Sequence, residues 1–374
     1  MKDFRKARFT AIVSDLHICE AEPEHPKNKL WKKYKTREFF FDDTFAEFLD
    51  FIVKLADQES VELILNGDIF DFDSVSTLPE SPPFRLSWLE RRRGMHPQKE
   101  KSEFKIKRIL EHHHVWVDAL AKFVKNGNTA IFVIGNHDIE LHWASVQKCI
   151  IDKMHLNARE AKNVRFVEWF YISNGDTLIE HGNQYDPYCV TLDPINPFVL
   201  KFNRLETRLP FGNIACRYMI NGMGFFNPHA DTNYLLSIKE YLRFFAKYML
   251  WSQPLIIWTW FWGSVITLWQ TVLDHLIPAL KDPLNVEDKI ERIAEKANAT
   301  PRIVRELREI FVPSAANSPF LIARELWLDR AFIVLIGLIS LFYEFLLVKE
   351  FFSISIFWVF AIVIPFVPFF LFYA

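Results

Sequence analysis

Four short polar sequences stand where apolar runs end, and their side chains are of the kinds that bind hard cations. Asp15-Leu16-His17 follows FTAIVS, and Gly67-Asp68-Ile69-Phe70-Asp71 follows VELILN. Gly135-Asn136-His137-Asp138 follows TAIFVI, and His181-Gly182-Asn183 follows DTLIE. Carboxylate and carboxamide oxygens suit hard divalent ions and imidazole admits manganese, iron or zinc, so an oxygen-and-nitrogen set without sulfur argues against soft metals. A carboxylate and an imidazole one residue apart at a strand end can be turned toward one point by the loop that follows. Two ions about 4 Å apart need a shared ligand. Asp68 is the natural bridge, because Gly67 lets the backbone turn tightly before it. Taken singly, each sequence is more often a turn or loop, or in the case of His181 a satisfied core imidazole, than a ligand. The argument rests on all four together, since a site is a convergent set.

The elements that must position these residues are legible in the surrounding pattern. From the start to about residue 250, short β-rich apolar runs alternate with polar helical stretches, including a helix over 43–57 and another ending near Asn126. That alternation predicts an α/β, layered-sheet domain with its active residues at the C-terminal ends of strands. A composition that is 50% hydrophobic and 24% charged fills such a core and excludes disorder on a large scale.

The series Asp-x-His, Gly-Asp-x-x-Asp, Gly-Asn-His-Asp and a later His resembles that of the calcineurin-like metallophosphoesterases, over roughly residues 8–190. The resemblance implies a layered β-sandwich, two mixed sheets flanked by helices, with two divalent metal ions at the strand ends. By motif position Asp15 and His17 would bind the first metal, Asp68 would bridge, and Asn136 and His181 would bind the second. His137 would act beside the substrate phosphate as general acid or hydrogen-bond donor, oriented by Asp138. Through GDIFDF and GNHD the chain is similar to the branch containing UDP-2,3-diacylglucosamine pyrophosphatases. That branch implies manganese and a lipid-linked pyrophosphate substrate at a membrane surface. One departure stands out: the family series ends in Gly-His-x-His, and this sequence has no such motif. His229 and His275 are downstream histidines without the pattern. The expectation is that Gly-His-x-His lies beyond Ala374, past a membrane insertion.

The composition changes near residue 250. Residues 248–273 carry no charge and hold Trp251, Trp258, Trp260, Trp262 and Trp269, and a second apolar region runs from Ala331 to Ala374. These lengths approach the ~20 apolar residues that a bilayer core requires, and indoles favour membrane interfaces. The expected organisation is a catalytic domain over 1–250 and a tryptophan-rich interfacial or membrane segment over 251–280. Charged amphipathic helices follow over 281–330, with Thr300 capping and Pro301 opening the second of them. A transmembrane helical hairpin over 331–374, turning at Lys349 and Glu350, completes the α-helical membrane-associated region.

Four cysteines without a CxxC pair argue against a zinc knot or a disulfide framework. The N-terminus has no apolar run of signal-peptide length, so the catalytic part is expected in the cytoplasm. Basic runs over 27–37 and 85–108 suit a polyanionic substrate or an anionic leaflet, or an ordinary solvated face. Nucleic acid is disfavoured, since no recognised binding module accompanies the charge. The triplet His112, His113 and His114 reads as partly exposed helix packing. The leading expectation is a hydrolase of a phosphoester or pyrophosphate bond. A general phosphodiesterase or phosphomonoesterase, or a membrane-bound scaffold with an incomplete metal site, are the alternatives.

Overall fold

A computed structural model describes residues 6–20, 41–57, 59–222, 256–281 and 285–347, together with positions 237, 239 and 243. The chain divides into two compact units, Met1–Asn317 and Ser318–Ala374.

The first unit is organised by a parallel sheet. Strands β1 (Phe9–Val13), β2 (Val61–Asn66), β3 (Thr129–Val133) and β4 (Val164–Val167) pair in that order, all parallel. Parallel strands covered on both faces read as continuous apolar runs, and VELIL in β2 is buried along its whole length. On one face lie the helices Asp42–Leu55, Lys99–His112, His114–Lys125 and Ala144–Lys153, joined to Leu63, Leu65 and Phe132 in the main core. Phe45 stacks on Trp116 there, with ring centroids 5.2 Å apart.

The other face is covered by an antiparallel hairpin, β5 (Phe170–Ser173) and β6 (Thr177–Glu180). Tyr171 and Ile179 of the hairpin pack on Ile64, Ile131 and Val133 of the sheet. Beneath them Glu62 accepts hydrogen bonds from the Tyr171 hydroxyl (2.8 Å) and Ser173 Oγ (2.7 Å), so a buried carboxylate fastens the layers together. A second hairpin pairs β7 (Phe198–Lys201) with β8 (Arg204–Thr207). Among the described residues the second layer is therefore a two-stranded hairpin and not the full mixed sheet of a sandwich. The edge of β5 is taken: the Ile172 N–H donates to Ala297 O (2.9 Å), and Asn298 Nδ2 donates to Ile172 O (2.8 Å).

Ala297 and Asn298 follow the helix Val286–Lys296, which with Pro301–Glu309 buries Ile290, Ile293, Val304 and Leu307 against Trp169, Phe170 and Ile172. Thr300 Oγ1 caps the second helix by accepting from the Ile303 N–H, with Pro301 at its first turn. The charged helices thus belong to the first unit, which runs to Asn317.

The helix Ile256–Leu276 also lies in this unit. Gly263, Ser264, Thr267 and Thr271 form its buried side, and a Cβ on Gly263 would press on the backbone of Tyr218 and Met219. Trp258, Trp262 and Trp269 are exposed, at 58%, 44% and 61%. At its C-terminal end Lys201 of β7 binds Gln270 (3.0 Å) and Asp274 (2.5 Å).

Two expectations about basic residues change with burial. Lys101 and Lys105 are not a surface patch; they are buried and paired with Glu90 and with Glu140 (2.9 Å), while Arg85, Arg91, Arg92, Lys99 and Lys107 are exposed. His113 is wholly buried at the break between two helices. Its Nδ1 faces Asp42 Oδ1 at 2.7 Å and its Nε2 faces Cys19 O at 2.8 Å, so it ties the loop after β1 to a helix start. Cys149, Cys189 and Cys216 are free thiols, and Cys19 Sγ donates to Glu20 O at 3.6 Å. The basic run over 27–37, His229 and Trp251 lie outside the described residues.

In the second unit the helices Pro319–Glu325 and Leu328–Leu347 meet at a 69° bend beside Trp327. Among the described residues no single helix is long and apolar enough to cross a membrane, although this bent pair meets the requirement jointly. Phe332, Ile333, Ile336, Ile339 and Phe342 are exposed along the longer helix. The expected turn at Lys349 and Glu350, and the second arm of the hairpin, fall outside the described residues.

Candidate metal centre

The first two polar loops continue the pairing of β1 and β2 past the strand ends. The Asp15 N–H donates to Gly67 O (3.1 Å), the His17 N–H to Asp68 O (2.9 Å) and the Ile18 N–H to Ile69 O (2.9 Å). Within this ribbon Asp15, His17 and Asp68 all have left-handed backbone, with φ of 55°, 46° and 52°. Residues with a Cβ rarely adopt that conformation, and its cost, of order 1 kcal/mol or more each, is tolerated where the surroundings enforce it. Glycine provides the clearance. A Cβ on Gly67 would overlap the His181 ring, and one on Gly135 would overlap the Asp68 carboxylate.

Four of the five residues singled out as ligands converge. His181 Nε2 lies 3.2 Å from Asp68 Oδ2, His17 Nε2 lies 3.8 Å from the same oxygen, and His17 Nε2 lies 4.0 Å from Asp15 Oδ1. Asp15, Asp68 and His181 offer one ligand-competent group, and His17, Asp68 and His137 a second, so Asp68 is common to both. His181 Nδ1 is turned to Asn66 O at 3.0 Å, which orients the ring and leaves Nε2 toward the carboxylates. Asp15 is half-exposed and opens the cluster to solvent, whereas Asp68 is buried. Burial pushes the Asp68 carboxyl up, but the hydrogen bond from His181 and the charges of His137 and His181 prevail and hold it at about 2. Burial likewise opposes a charge on His181, yet Asp68 raises it to about 9. Burial and the neighbouring His137 keep His17 below its ordinary value. Carboxylates and imidazoles gathered this closely are a donor set suited to hard or borderline divalent cations.

Asn136, the fifth, is buried beside this group, with its amide Nδ2 3.4 Å from Asn213 Oδ1. His137 is brought in by the backbone as well as the ring. Its N–H donates to Asp68 Oδ1 (2.7 Å), and its imidazole meets the His17 ring edge-on with centroids 4.8 Å apart. The carboxylate beside the His137 ring is Asp71, with Oδ1 3.5 Å from Nδ1. This corrects the expectation that Asp138 orients His137. Asp138 Oδ1 accepts from the Gly135 N–H (2.7 Å) and Oδ2 from the Ile69 N–H (2.9 Å), so it pins two loops whose peptide donors need buried acceptors. Burial, together with the charge of Asp68, raises Asp138 to about 7. Burial disfavours the imidazolium of His137, but the hydrogen bond and charge of Asp71, joined by Asp68 and Asp73, lift it to about 10.

Asp71 lay in view as the last residue of GDIFD, and its placement two residues before a second aspartate was the available signal. Asp73, Asn213 and Arg217 carried none. Asp71, Asp73 and His137 form a third ligand-competent group, already engaged internally: Ser74 donates to Asp71, and Asn213 and Arg217 donate to Asp73.

The sequence profile of the calcineurin-like phosphoesterases matches residues 10–215, from β1 to the helix Phe211–Tyr218. The match spans more than half of the chain, which therefore belongs to that family of metal-dependent phosphoester hydrolases, enzymes that bind two divalent metal ions. No curated protein and no solved structure matches the chain.

Proposed function

We propose that Asp15, His17, Asp68, Asn136 and His181 hold two divalent cations, manganese first among the candidates, for hydrolysis of a phosphoester or pyrophosphate bond. The observation that carries this reading is the position of Asp68, whose Oδ2 is approached by both His17 and His181. Cations held there supply Lewis acidity toward phosphoryl oxygens and lower the pKa of water. His137 provides the proton. Its imidazole, with Nδ1 3.5 Å from Asp71 Oδ1, lies next to the cluster, and protonating the leaving oxygen is the task that suits it. Asp71 fixes the ring, and Asp138 fixes the loop that bears it.

Within this class we favour a lipid- or nucleotide-linked substrate at the cytoplasmic face of a membrane, as in the UDP-2,3-diacylglucosamine pyrophosphatase branch. Support comes from the helix Ile256–Leu276, which buries small and polar residues and exposes tryptophans. Interfacial seating fits that inverted polarity.

The test uses the full chain stripped of metal and reloaded with Mn2+. Hydrolysis of an aryl phosphodiester should depend on Mn2+, and Asp68→Asn should reduce it about 1,000-fold. Equal rates for the variant and the wild type would remove the metal assignment. A UDP-linked diacyl sugar presented in vesicles should be cleaved faster than the aryl ester; the reverse order would favour a general phosphodiesterase.

A further inference from the structure

The helix Phe211–Tyr218 places Asn213 and Arg217 one turn apart, and both are fully buried under the centre. Arg217 Nη2 donates to Asp73 Oδ1 at 2.5 Å. Asn213 Nδ2 donates to the other Asp73 oxygen at 2.6 Å and to the backbone carbonyl of Asn136 at 2.8 Å, while its Oδ1 faces Asn136 Nδ2 at 3.4 Å. These contacts have a direction. Asp73, paired with a guanidinium, offers acceptors alone, so the Asn213 carboxamide must turn its nitrogen toward it. Its oxygen then meets Asn136, and the Asn136 carboxamide must answer with its own nitrogen. The Asn136 oxygen is thereby left as the end not engaged by Asn213. Orientation of an amide is decided by its hydrogen-bond network, and here the network decides it from a buried ion pair outward.

We infer that Asn213, set by Asp73 and Arg217, is a positioning residue that presents the oxygen of Asn136, and not its nitrogen, to the second cation. The inference rests on the proposed role of Asn136 as a ligand. A carboxamide nitrogen is no ligand for a hard cation, so loss of the set orientation should appear in binding of one ion and spare the other. Partners that orient ligands in this way are worth roughly 10–100-fold in metal affinity.

The experiment is calorimetric titration of Mn2+ into the metal-free full chain, with the metal-free melting temperature as the control for folding. The wild type should take up two ions. Asn213→Ala should weaken the second by tenfold or more and leave the first within twofold. In an Asn136→Ala background the same substitution should have no further effect. If Asn213→Ala does not fold, Asn213→Ser, which retains a hydroxyl for Asp73 but not the carboxamide that reads Asn136, carries the same expectation. If Asn136→Ala loses the second ion and Asn213→Ala does not, the positioning role is overturned and the ligand assignment survives. Equal weakening of both ions, accompanied by a lower melting temperature, would also overturn it by showing a structural role. If Asn136→Ala itself binds two ions as the wild type does, the ligand reading fails and takes the inference with it.

Discussion

The metal centre and the helix Ile256–Leu276 are built on opposite polarities. Around the centre, aspartates, histidines, Arg217 and Lys105 are buried, and ion pairs and hydrogen bonds connect them. On the helix, serine, threonine and glycine face the protein while three tryptophans face outward. A buried charge is costly unless it is paired, so the first arrangement exists only because each loop brings a partner for the next. Exposed indoles cost little singly, and a stripe of them on one helix face is the feature on which the proposed interfacial seating rests. One region buries charges that are paired for chemistry, and the other exposes apolar rings for which contact is the proposed use.

The sharpest way to break this contrast on the buried side is Lys101→Met. Glu90 would keep its burial and lose its ammonium partner, which should cost about 3–5 kcal/mol in denaturant unfolding. Glu90→Gln in the same chain should recover most of the loss. The pair also sets an acid limit. Burial pushes Glu90 up, but His96, Lys101 and the N–H groups of Ser87 and His96 hold it at about 2, below the ordinary value of about 4.3. Its contribution is therefore complete above about pH 4.3 and is lost as pH falls toward 2. Unfolding curves at pH 3 and pH 5 should converge for the double variant faster than for the wild type. A Lys101→Met chain as stable as the parent would show that the pair is not what keeps Glu90 inside.

Next in size is the proton donor. His137→Ala should retain both cations and lose turnover by roughly 100-fold. Metal analysis alongside the rate decides the matter: parallel loss of metal would make His137 a ligand, a reading its place in a ligand-competent group with His17 and Asp68 keeps open to test.

How much of this was legible depended on whether the cause was local. Asp15, His17 and Asp68 were readable because they follow the apolar strands β1 and β2, whose parallel pairing brings their ends together, and His181 because it follows the apolar strand β6 of the hairpin packed on that sheet. The Thr300 cap and Pro301 were readable for the same reason, since capping acts within one turn. Asn213 and Arg217 were not, because their partner Asp73 is 140 and 144 positions away and no spacing rule connects them. Lys101 and Lys105 look like surface charge in sequence, and only the fold brings Glu140 to Lys105. The Asp138 reading failed on a subtler point: adjacency in sequence suggested that it served His137, but the peptide groups of Gly135 and Ile69 claim its oxygens.

On the apolar side the expected effects are smaller and concern binding, leaving the fold intact. Trp262→Ser should weaken cosedimentation with anionic phospholipid vesicles about tenfold, since burying a large apolar side chain contributes roughly 1.5–3 kcal/mol. The metal-free melting temperature should not move, because the indole is exposed. Unchanged vesicle binding, after all three outward tryptophans are replaced, would leave the helix as a packing element alone.

The smallest effect calibrates the comparison. Thr300→Ala removes the Oγ1 acceptor for the Ile303 N–H and should cost about 1 kcal/mol in unfolding. The helix it caps covers β5 from the side away from the sheet, through Val304 and Leu307, and ends in the exposed Ile310. On the proposed reading neither the cations nor the vesicles would touch this position. Metal affinity and vesicle binding should therefore match the wild type at temperatures well below melting. If Thr300→Ala shifted either one, the separation of chemistry from contact would not hold, and the charged helices would have to be counted as part of the site.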